Sequence, residues 1–144
     1  TDNAWFSLLT MNTHPLHFND HYAQGTMFGQ QLVNSGLTVA IVLGISVADI
    51  SQHAIANLGW DEIRLPHPVY VGDTLYAESM VTEVRSSRSR PEAGIVGVLT
   101  RGLNQGGDEC VRFRRSVLVQ KRGAALSSDF PRAKEPLGRP HEGK

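Results

Sequence analysis

The sequence has no excess of charge of either sign and no apolar run long enough to cross a bilayer. Its 14 Lys and Arg residues balance its 14 Asp and Glu residues, so it lacks the positive field that draws proteins to nucleic acids or anionic membranes. The longest apolar stretch, from Leu37 to Val47, is about half the length of a transmembrane helix. We therefore expect no nucleic-acid partner and no membrane segment.

Cysteine is nearly absent as well. The single Cys110 excludes an internal disulfide and a cysteine-rich zinc site, and it is typical of a reducing compartment, so we expect a cytoplasmic protein. At 144 residues the chain has the length of one domain and buries roughly two thirds of its unfolded surface on folding. Because it opens on Thr1 rather than on Met, we expect further residues before it.

The first third of the chain has helical periodicity. A short helix is predicted near the start, with its apolar spacing set by Ala4, Trp5, Leu8 and Leu9. A second is predicted over residues 19–25, after the break at His14-Pro15. Residues 32–51 form the longest periodic segment and are apolar on nearly all sides, which predicts a buried central helix. Small residues recur along it at Gly36, Ala40, Gly44 and Ala48, and this stripe indicates a partner that packs closely.

From residue 54 the pattern is typical of strands. Four are predicted, over residues 54–65, 73–85, 94–104 and 109–121, with turn residues between them. Gly106-Gly107 between the last two predicts a hairpin. A helix followed by long antiparallel strands indicates an α+β fold in which the sheet wraps the helix. We therefore place one domain at residues 1–121 and a flexible tail at residues 122–144.

Three histidines, His14, His17 and His21, lie between the two short helices. His17 and His21 have the spacing of a helical metal pair, but no glutamate follows as in a zinc-protease motif, so no metal site is predicted. We expect His21 to be solvated. His17 follows the rigid Pro15-Leu16 pair and should point into a structured crevice.

Two polar groups near these histidines each have two interpretations. Asn12 either orients a water or substrate carbonyl, or terminates the first helix through its amide. Asn34, Ser35 and Gly36 begin the central helix, where free amides can bind a developing oxyanion. Ordinary helix capping explains these three residues equally simply, and the sequence alone favours it.

Arginines cluster in the turn between the second and third strands and on the last strand. The turn carries Arg88 and Arg90, and the strand carries Arg114. Arginine binds phosphate with two parallel hydrogen bonds, so these residues are candidate phosphate contacts. The alternative is a solvated basic turn, which is the commoner case.

The segment from Asn12 to His17 resembles a family motif. Asn12-Thr13-His14-Pro15-Leu16-His17 is similar to the D-x-N-P-L/I-H signature of the MaoC-like, R-specific enoyl-CoA hydratases, which have the hot-dog fold. The resemblance continues through the helix start at Asn34 and through Val69-Tyr70-Val71-Gly72-Asp73, and it covers roughly residues 1–121. Residues 57–61 and 87–91 look most like the mesaconyl-CoA hydratase branch, whose members are also described as β-methylmalyl-CoA dehydratases.

The resemblance implies reversible hydration of a short, branched, dicarboxylic enoyl thioester carried by CoA or an acyl carrier. His17 takes the place of the family histidine that acts as general acid and base. Asn12 stands where the family has an aspartate, so it would position the water. The amide of Ser35 or Gly36 would bind the thioester carbonyl. No cofactor is implied, because the CoA thioester is the substrate.

The resemblance also implies groups for the rest of the substrate and a partner subunit. His14 and Arg64 are the candidates for the second carboxylate, and Arg88, Arg90 and Arg114 are the candidates for the CoA phosphates. Hot-dog units usually pair, so a homodimer or higher homo-oligomer is expected. Two alternatives remain: a hot-dog acyl-CoA thioesterase and a non-catalytic acyl-binding subunit. Hot-dog thioesterases generally use a carboxylate near the helix start, and Asn34-Ser35 provides none. A non-catalytic subunit is compatible with the missing family aspartate.

Overall fold

A computed structural model describes residues 1–124 and Lys134. The helical elements are α1 (Asp2–Leu9), a 3-10 helix (Pro15–His17), α2 (Asp20–Gln24), α3 (Ser35–Ile45) and α4 (Val47–Ile50). The strands are β1 (Ala54–Arg64), β2 (Tyr76–Ser86), β3 (Ala93–Leu103) and β4 (Glu109–Gln120). The predicted tail, residues 122–144, lies almost wholly outside the described residues.

The four strands form one antiparallel sheet in the order β1-β4-β3-β2. β3 and β4 pair as a hairpin along their whole length. Its turn carries Gly107 at φ 85°, a left-handed conformation that glycine adopts without steric cost. The predicted α+β class and the predicted hairpin are therefore confirmed.

α3 packs against one face of this sheet. Val42 of α3 is fully buried with Val111 and Phe113 of β4, and together they form the core cluster. The closest approach is at Gly102 of β3, where an added Cβ would overlap a methyl group of Val42 and lie 2.8 Å from Cγ1 of Val111. Glycine at this position allows the middle of α3 to sit directly on the sheet.

The central helix is shorter than predicted at both ends. It begins after Asn34, while Leu32 instead forms an isolated β-bridge with Tyr70. It ends at Ser46, whose hydroxyl donates to the Leu43 carbonyl at 2.7 Å. Such a hydroxyl competes with the backbone for the carbonyl groups of the preceding turn. The segment predicted as one helix is therefore α3 followed by the single turn of α4.

Burial of α3 is one-sided in this chain. Thr38 and Val42 are buried, whereas Ile41 is 37% and Ile45 45% exposed. The predicted stripe of small residues, Gly36, Ala40, Gly44 and Ala48, is also exposed, although the Phe6 ring lies against Gly36. The sheet covers one face of the helix, and the other remains open. None of the helices in the described ranges has the length and apolar character needed to span a bilayer.

Candidate functional site

The loop after α1 is shaped by its own side chains. Met11 takes a left-handed conformation at φ 59°, and the Asn12 oxygen Oδ1 then accepts from the His14 amide at 3.1 Å. His14 is extended, as expected before proline, and its Nδ1 accepts from the Leu16 amide at 3.2 Å. These local bonds direct the chain into the 3-10 helix that ends at His17.

The His17 ring is held in one orientation. Its Nδ1 lies 3.1 Å from the carbonyl oxygen of Leu32. A carbonyl oxygen only accepts, so Nδ1 must carry the proton when the ring is neutral. The lone pair is then on Nε2. Within the described residues no hydrogen-bond partner contacts Nε2, which leaves it able to take a proton from a substrate or water.

The N-terminus of α3 lies beside this histidine. Asn34 is its N-cap and is 6% exposed. Its Oδ1 accepts from the Gly36 amide at 2.9 Å, and its Nδ2 donates to the Ser7 hydroxyl at 3.1 Å. The Gly36 amide is therefore occupied by the cap. The Ser35 amide has no partner among residues 1–124, so it is the donor that remains for an oxyanion.

A cavity of about 220 Å³ opens at this helix end. Its lining residues are Phe28, Leu32, Val33, Ser35, Thr38, Leu65, His67, Pro68 and Val69. The wall is mostly apolar, with Ser35 and His67 among its few polar side chains. Leu32 connects the cavity to the histidine, because its carbonyl holds the His17 ring. The size and lining suit a short acyl group bound by a few polar contacts.

The structure brings some of the other predicted residues to this site and leaves others away from it. His14 lies beside His17, with ring centroids 6.0 Å apart, and also packs edge-on against Tyr22 at 5.8 Å. Arg64 is opposite Arg112 in the sheet register. Arg112 alternates with the buried Val111 and Phe113, so both arginines point away from α3.

The three arginines predicted to contact phosphate are distributed over two places. Arg88 lines a shallow surface cavity in the β2–β3 turn, and Arg90 follows it in the same turn. Arg114 pairs with Glu62 at 3.0 Å on the sheet face turned away from α3. Arg114 is therefore in an ion pair, whereas Arg88 and Arg90 form none with the described residues.

Two residues at the site were missed by sequence reasoning, Asn3 and His67. His67 lies between two prolines, a pattern typical of a turn. Asn3 lies outside the apolar spacing of α1, which gave no reason to expect its burial. In the structure Asn3 and Ser7 are buried, whereas Trp5 is 67% and Leu9 79% exposed. The signal in the sequence was a pair of small polar residues one helical turn apart.

The chain is similar in sequence to proteins of known activity. A family described as "MaoC like domain" matches residues 1–102. Mesaconyl-CoA hydratase from Cereibacter sphaeroides is 36% identical over 137 residues, covering 95% of this chain and 40% of that protein. The chain spans only 33–40% of the length of this and the next three curated relatives, which are named mesaconyl-CoA hydratase or beta-methylmalyl-CoA dehydratase.

Solved structures resemble the chain over most of its length. A MaoC-like dehydratase from Rhodospirillum rubrum aligns with a TM-score of 0.71 at 29% identity, covering 83% of this chain and 82% of that one. A Mycobacterium tuberculosis protein described as having a double hotdog fold aligns with a TM-score of 0.67 at 21% identity, covering 78% of this chain and 35% of that one. The predicted hot-dog fold is therefore confirmed.

Proposed function

Because the chain belongs to the MaoC-like family, we propose that it hydrates and dehydrates a short enoyl-CoA thioester of the mesaconyl type. The observation that carries the proposal is the pairing of His17 with the start of α3. Among residues 1–124, Nε2 of His17 is free while Nδ1 is held by the Leu32 carbonyl. Ser35, whose amide has no partner in the same range, lines an apolar cavity.

His17 and Asn12 would act on one water molecule. In hydration, Nε2 of His17 takes a proton from the water while its oxygen adds to the β-carbon of the enoyl group. The Asn12 oxygen is used by the His14 amide, but its NH₂ group has no partner in the described part of the chain and can donate to the water oxygen. Asn12 thus positions the water without titrating.

The Ser35 amide would bind the thioester carbonyl. As water adds, negative charge develops on that oxygen, and a donor at the positive end of a helix stabilises it. The imidazolium of His17 then returns the proton to the α-carbon on the same face. In dehydration the same groups act in reverse, with His17 first as base at the α-carbon and then as acid toward the leaving hydroxyl.

The decisive experiment follows the loss of enoyl absorbance with mesaconyl-CoA and crotonyl-CoA. We expect turnover by the full chain and a fall in kcat of roughly 10²- to 10⁴-fold in His17→Ala, the usual contribution of general acid-base catalysis. His21→Ala is the matched control, because His21 is an exposed histidine of the neighbouring α2.

Each alternative function has its own outcome. Unchanged turnover in His17→Ala contradicts the mechanism. Binding of acyl-CoA without turnover identifies an acyl-binding subunit, which is compatible with the absence of the family aspartate. Hydrolysis of acyl-CoA without hydration identifies a thioesterase.

A dicarboxylic substrate needs a cation for its second carboxylate. His67 lies in the cavity wall. His14 lies beside His17, and Arg64 is on the sheet face turned away from α3. We therefore favour His67, with His14 as the second candidate.

Kinetics with two substrates can test this assignment. His67→Ala should raise KM for mesaconyl-CoA and leave KM for crotonyl-CoA nearly unchanged, since crotonyl-CoA has no second carboxylate. Arg64→Ala, the matched control, should leave both values nearly unchanged. A rise in KM for both substrates in His67→Ala would show that His67 only shapes the cavity.

We also propose that the working form contains a second hot-dog unit, as a homodimer or a higher homo-oligomer. β1 and β2 are the edges of the sheet, and Met80, Val81 and Val84 of β2 are all more than half exposed. Exposed edges and apolar patches of this kind are normally covered. Sedimentation at micromolar concentration should give a dimer or larger, and Val84→Glu should weaken it; a monomer in the unmodified chain contradicts the proposal.

The CoA phosphates are assigned to Arg88 and Arg90, ahead of the paired Arg114. An Arg88→Ala, Arg90→Ala double variant should raise KM for CoA thioesters and leave KM for the same acyl group on pantetheine nearly unchanged. Equal effects on the two carriers would place the phosphates elsewhere.

A further inference from the structure

The side chain of Asn3 joins three separate parts of the site. It is 7% exposed and lies on the buried side of α1. Its NH₂ group donates to the His17 carbonyl and to the Leu32 carbonyl, each at 2.8 Å. Its oxygen accepts from the Asn34 amide at 2.7 Å.

The orientation of this amide follows from its partners. Two of the three partners are carbonyl oxygens, which only accept, and the third is an N–H, which only donates. Only one placement of the Asn3 oxygen and nitrogen satisfies all three. The amide is therefore fully used and cannot rotate without losing every bond.

The three partners are the catalytic loop, the segment before α3 and the N-cap of α3. The Leu32 carbonyl is shared, because it also accepts from Nδ1 of His17 at 3.1 Å. Asn3 thus bonds the same oxygen that selects the tautomer of His17. It also holds the backbone of Asn34, directly before the Ser35 amide.

We propose that Asn3 is a positioning residue, which sets the tautomer and place of His17 relative to the Ser35 amide. This inference rests on the proposed function, in which His17 is the acid and base. Asn3 is not among the residues that line the cavity at the start of α3. It acts by fixing the Leu32 carbonyl, which in turn fixes the ring.

The chemistry of the side chain explains why an amide is required. An aspartate has nearly the same shape, but its ionised form has no donor and would place negative charge against two carbonyl oxygens. Asn3→Asp therefore removes the two donated bonds with little change in volume. Residues that orient a metal-bound histidine through a hydrogen bond contribute about 10- to 100-fold to activity, and we expect an effect of the same size from Asn3.

Kinetics can separate positioning from plain stability. We expect Asn3→Asp to lower kcat about 10- to 100-fold with KM nearly unchanged. Ser7→Ala is the matched control: Ser7 is fully buried on the same side of α1 and bonds Asn34, but it contacts neither His17 nor Leu32. A kcat in Asn3→Asp equal to that of Ser7→Ala overturns the proposal.

A second measurement reads the tautomer in the unmodified chain. In ¹⁵N-histidine-labelled wild-type chain, at a pH where His17 is neutral, NMR should show the proton on Nδ1. The His17→Ala spectrum assigns the signal. A proton on Nε2 overturns the proposal whatever the variants do.

The two proposals fail in different ways. If His17→Ala retains full turnover, the proposed function fails, while the tautomer measurement still tests the bond between His17 and Leu32 through which Asn3 acts. If His17→Ala is inactive and Asn3→Asp turns over normally, only the positioning role fails.

Discussion

The two ends of α3 are both held by buried polar side chains, but the chemistry differs. At the N-terminal end the holding groups are the neutral amides of Asn3 and Asn34. At the C-terminal end it is Arg115, 3% exposed, which donates to the Ser46 hydroxyl at 3.0 Å and to the Ser51 hydroxyl at 3.3 Å. No carboxylate pairs with Arg115 within the described residues, and its Nε has no partner there.

The two ends differ in the free-energy cost of burying their polar groups. Neutral amides with complete hydrogen bonds can be buried at little net cost. A buried cation without a counter-ion costs several kcal/mol, and burial lowers the pKa of Arg115 accordingly. The helix dipole offsets part of this cost, because cations are favoured at helix C-termini. The candidate site lies at the N-terminal end, where the side-chain amides of Asn3 and Asn34 are hydrogen-bonded and the Ser35 amide has no partner among residues 1–124.

The largest effect is expected from Asn34→Leu. The substitution removes the N-cap bond to Gly36 and leaves the buried Ser7 hydroxyl without its donor. We expect the free energy of unfolding to fall by about 3 kcal/mol, measured by urea denaturation. Asn34→Asp keeps the acceptor for the Gly36 amide and should lose only about 1 kcal/mol. Equal losses in the two variants would mean that the cap does not hold this end.

A somewhat smaller effect is expected at the middle of α3, from Gly102→Ala. The added methyl group meets Val42 and Val111, so α3 must shift away from the sheet, at a cost of about 2 kcal/mol. Gly59→Ala is the control, because nothing lies within 4 Å of its added Cβ. If Gly102→Ala is as stable as Gly59→Ala, the two ends and not the middle determine where the helix sits.

At the C-terminal end of α3, removal of the polar group should not lower the free energy of unfolding. Arg115→Met keeps most of the side-chain volume and removes the unpaired charge, so the free energy of unfolding should stay the same or rise by about 1 kcal/mol. Arg115→Ala leaves a cavity and should lose about 2 kcal/mol or more. A similar loss of free energy of unfolding in Arg115→Met would show that the cation stabilises this end, as the amides stabilise the other.

The smallest effect is expected in the loop at the N-terminal end, from Met11→Gly. Met11 is exposed and left-handed, and relief of that strain, about 1 kcal/mol, outweighs the added entropy of an unfolded glycine. We expect the free energy of unfolding, measured by thermal denaturation, to rise by up to roughly 0.5 kcal/mol. Thr13→Gly, in the same loop without a positive φ, should lose about as much. Losses in both variants would argue against strain in this loop.

Local patterns predicted the elements well. β1, β3 and β4 each lie within two residues of their predicted ends, because alternation and turn residues are properties of the strands themselves. β2 begins three residues later than predicted, since Asp73 bonds the Tyr70 amide at 2.8 Å and closes a turn. The apolar spacing of α1 did not indicate its buried face, because the buried Asn3 bonds the backbone of His17, Leu32 and Asn34.

The sequence by itself determined the class of fold and the histidine loop, since both depend on patterns among residues near one another along the chain. Only the tertiary structure decided which ring nitrogen of His17 carries the proton and why Asn3 is buried. These depend on hydrogen bonds between residues 14 to 31 positions apart. A hydrogen bond requires atoms placed within tenths of an ångström, and no local pattern contains that information.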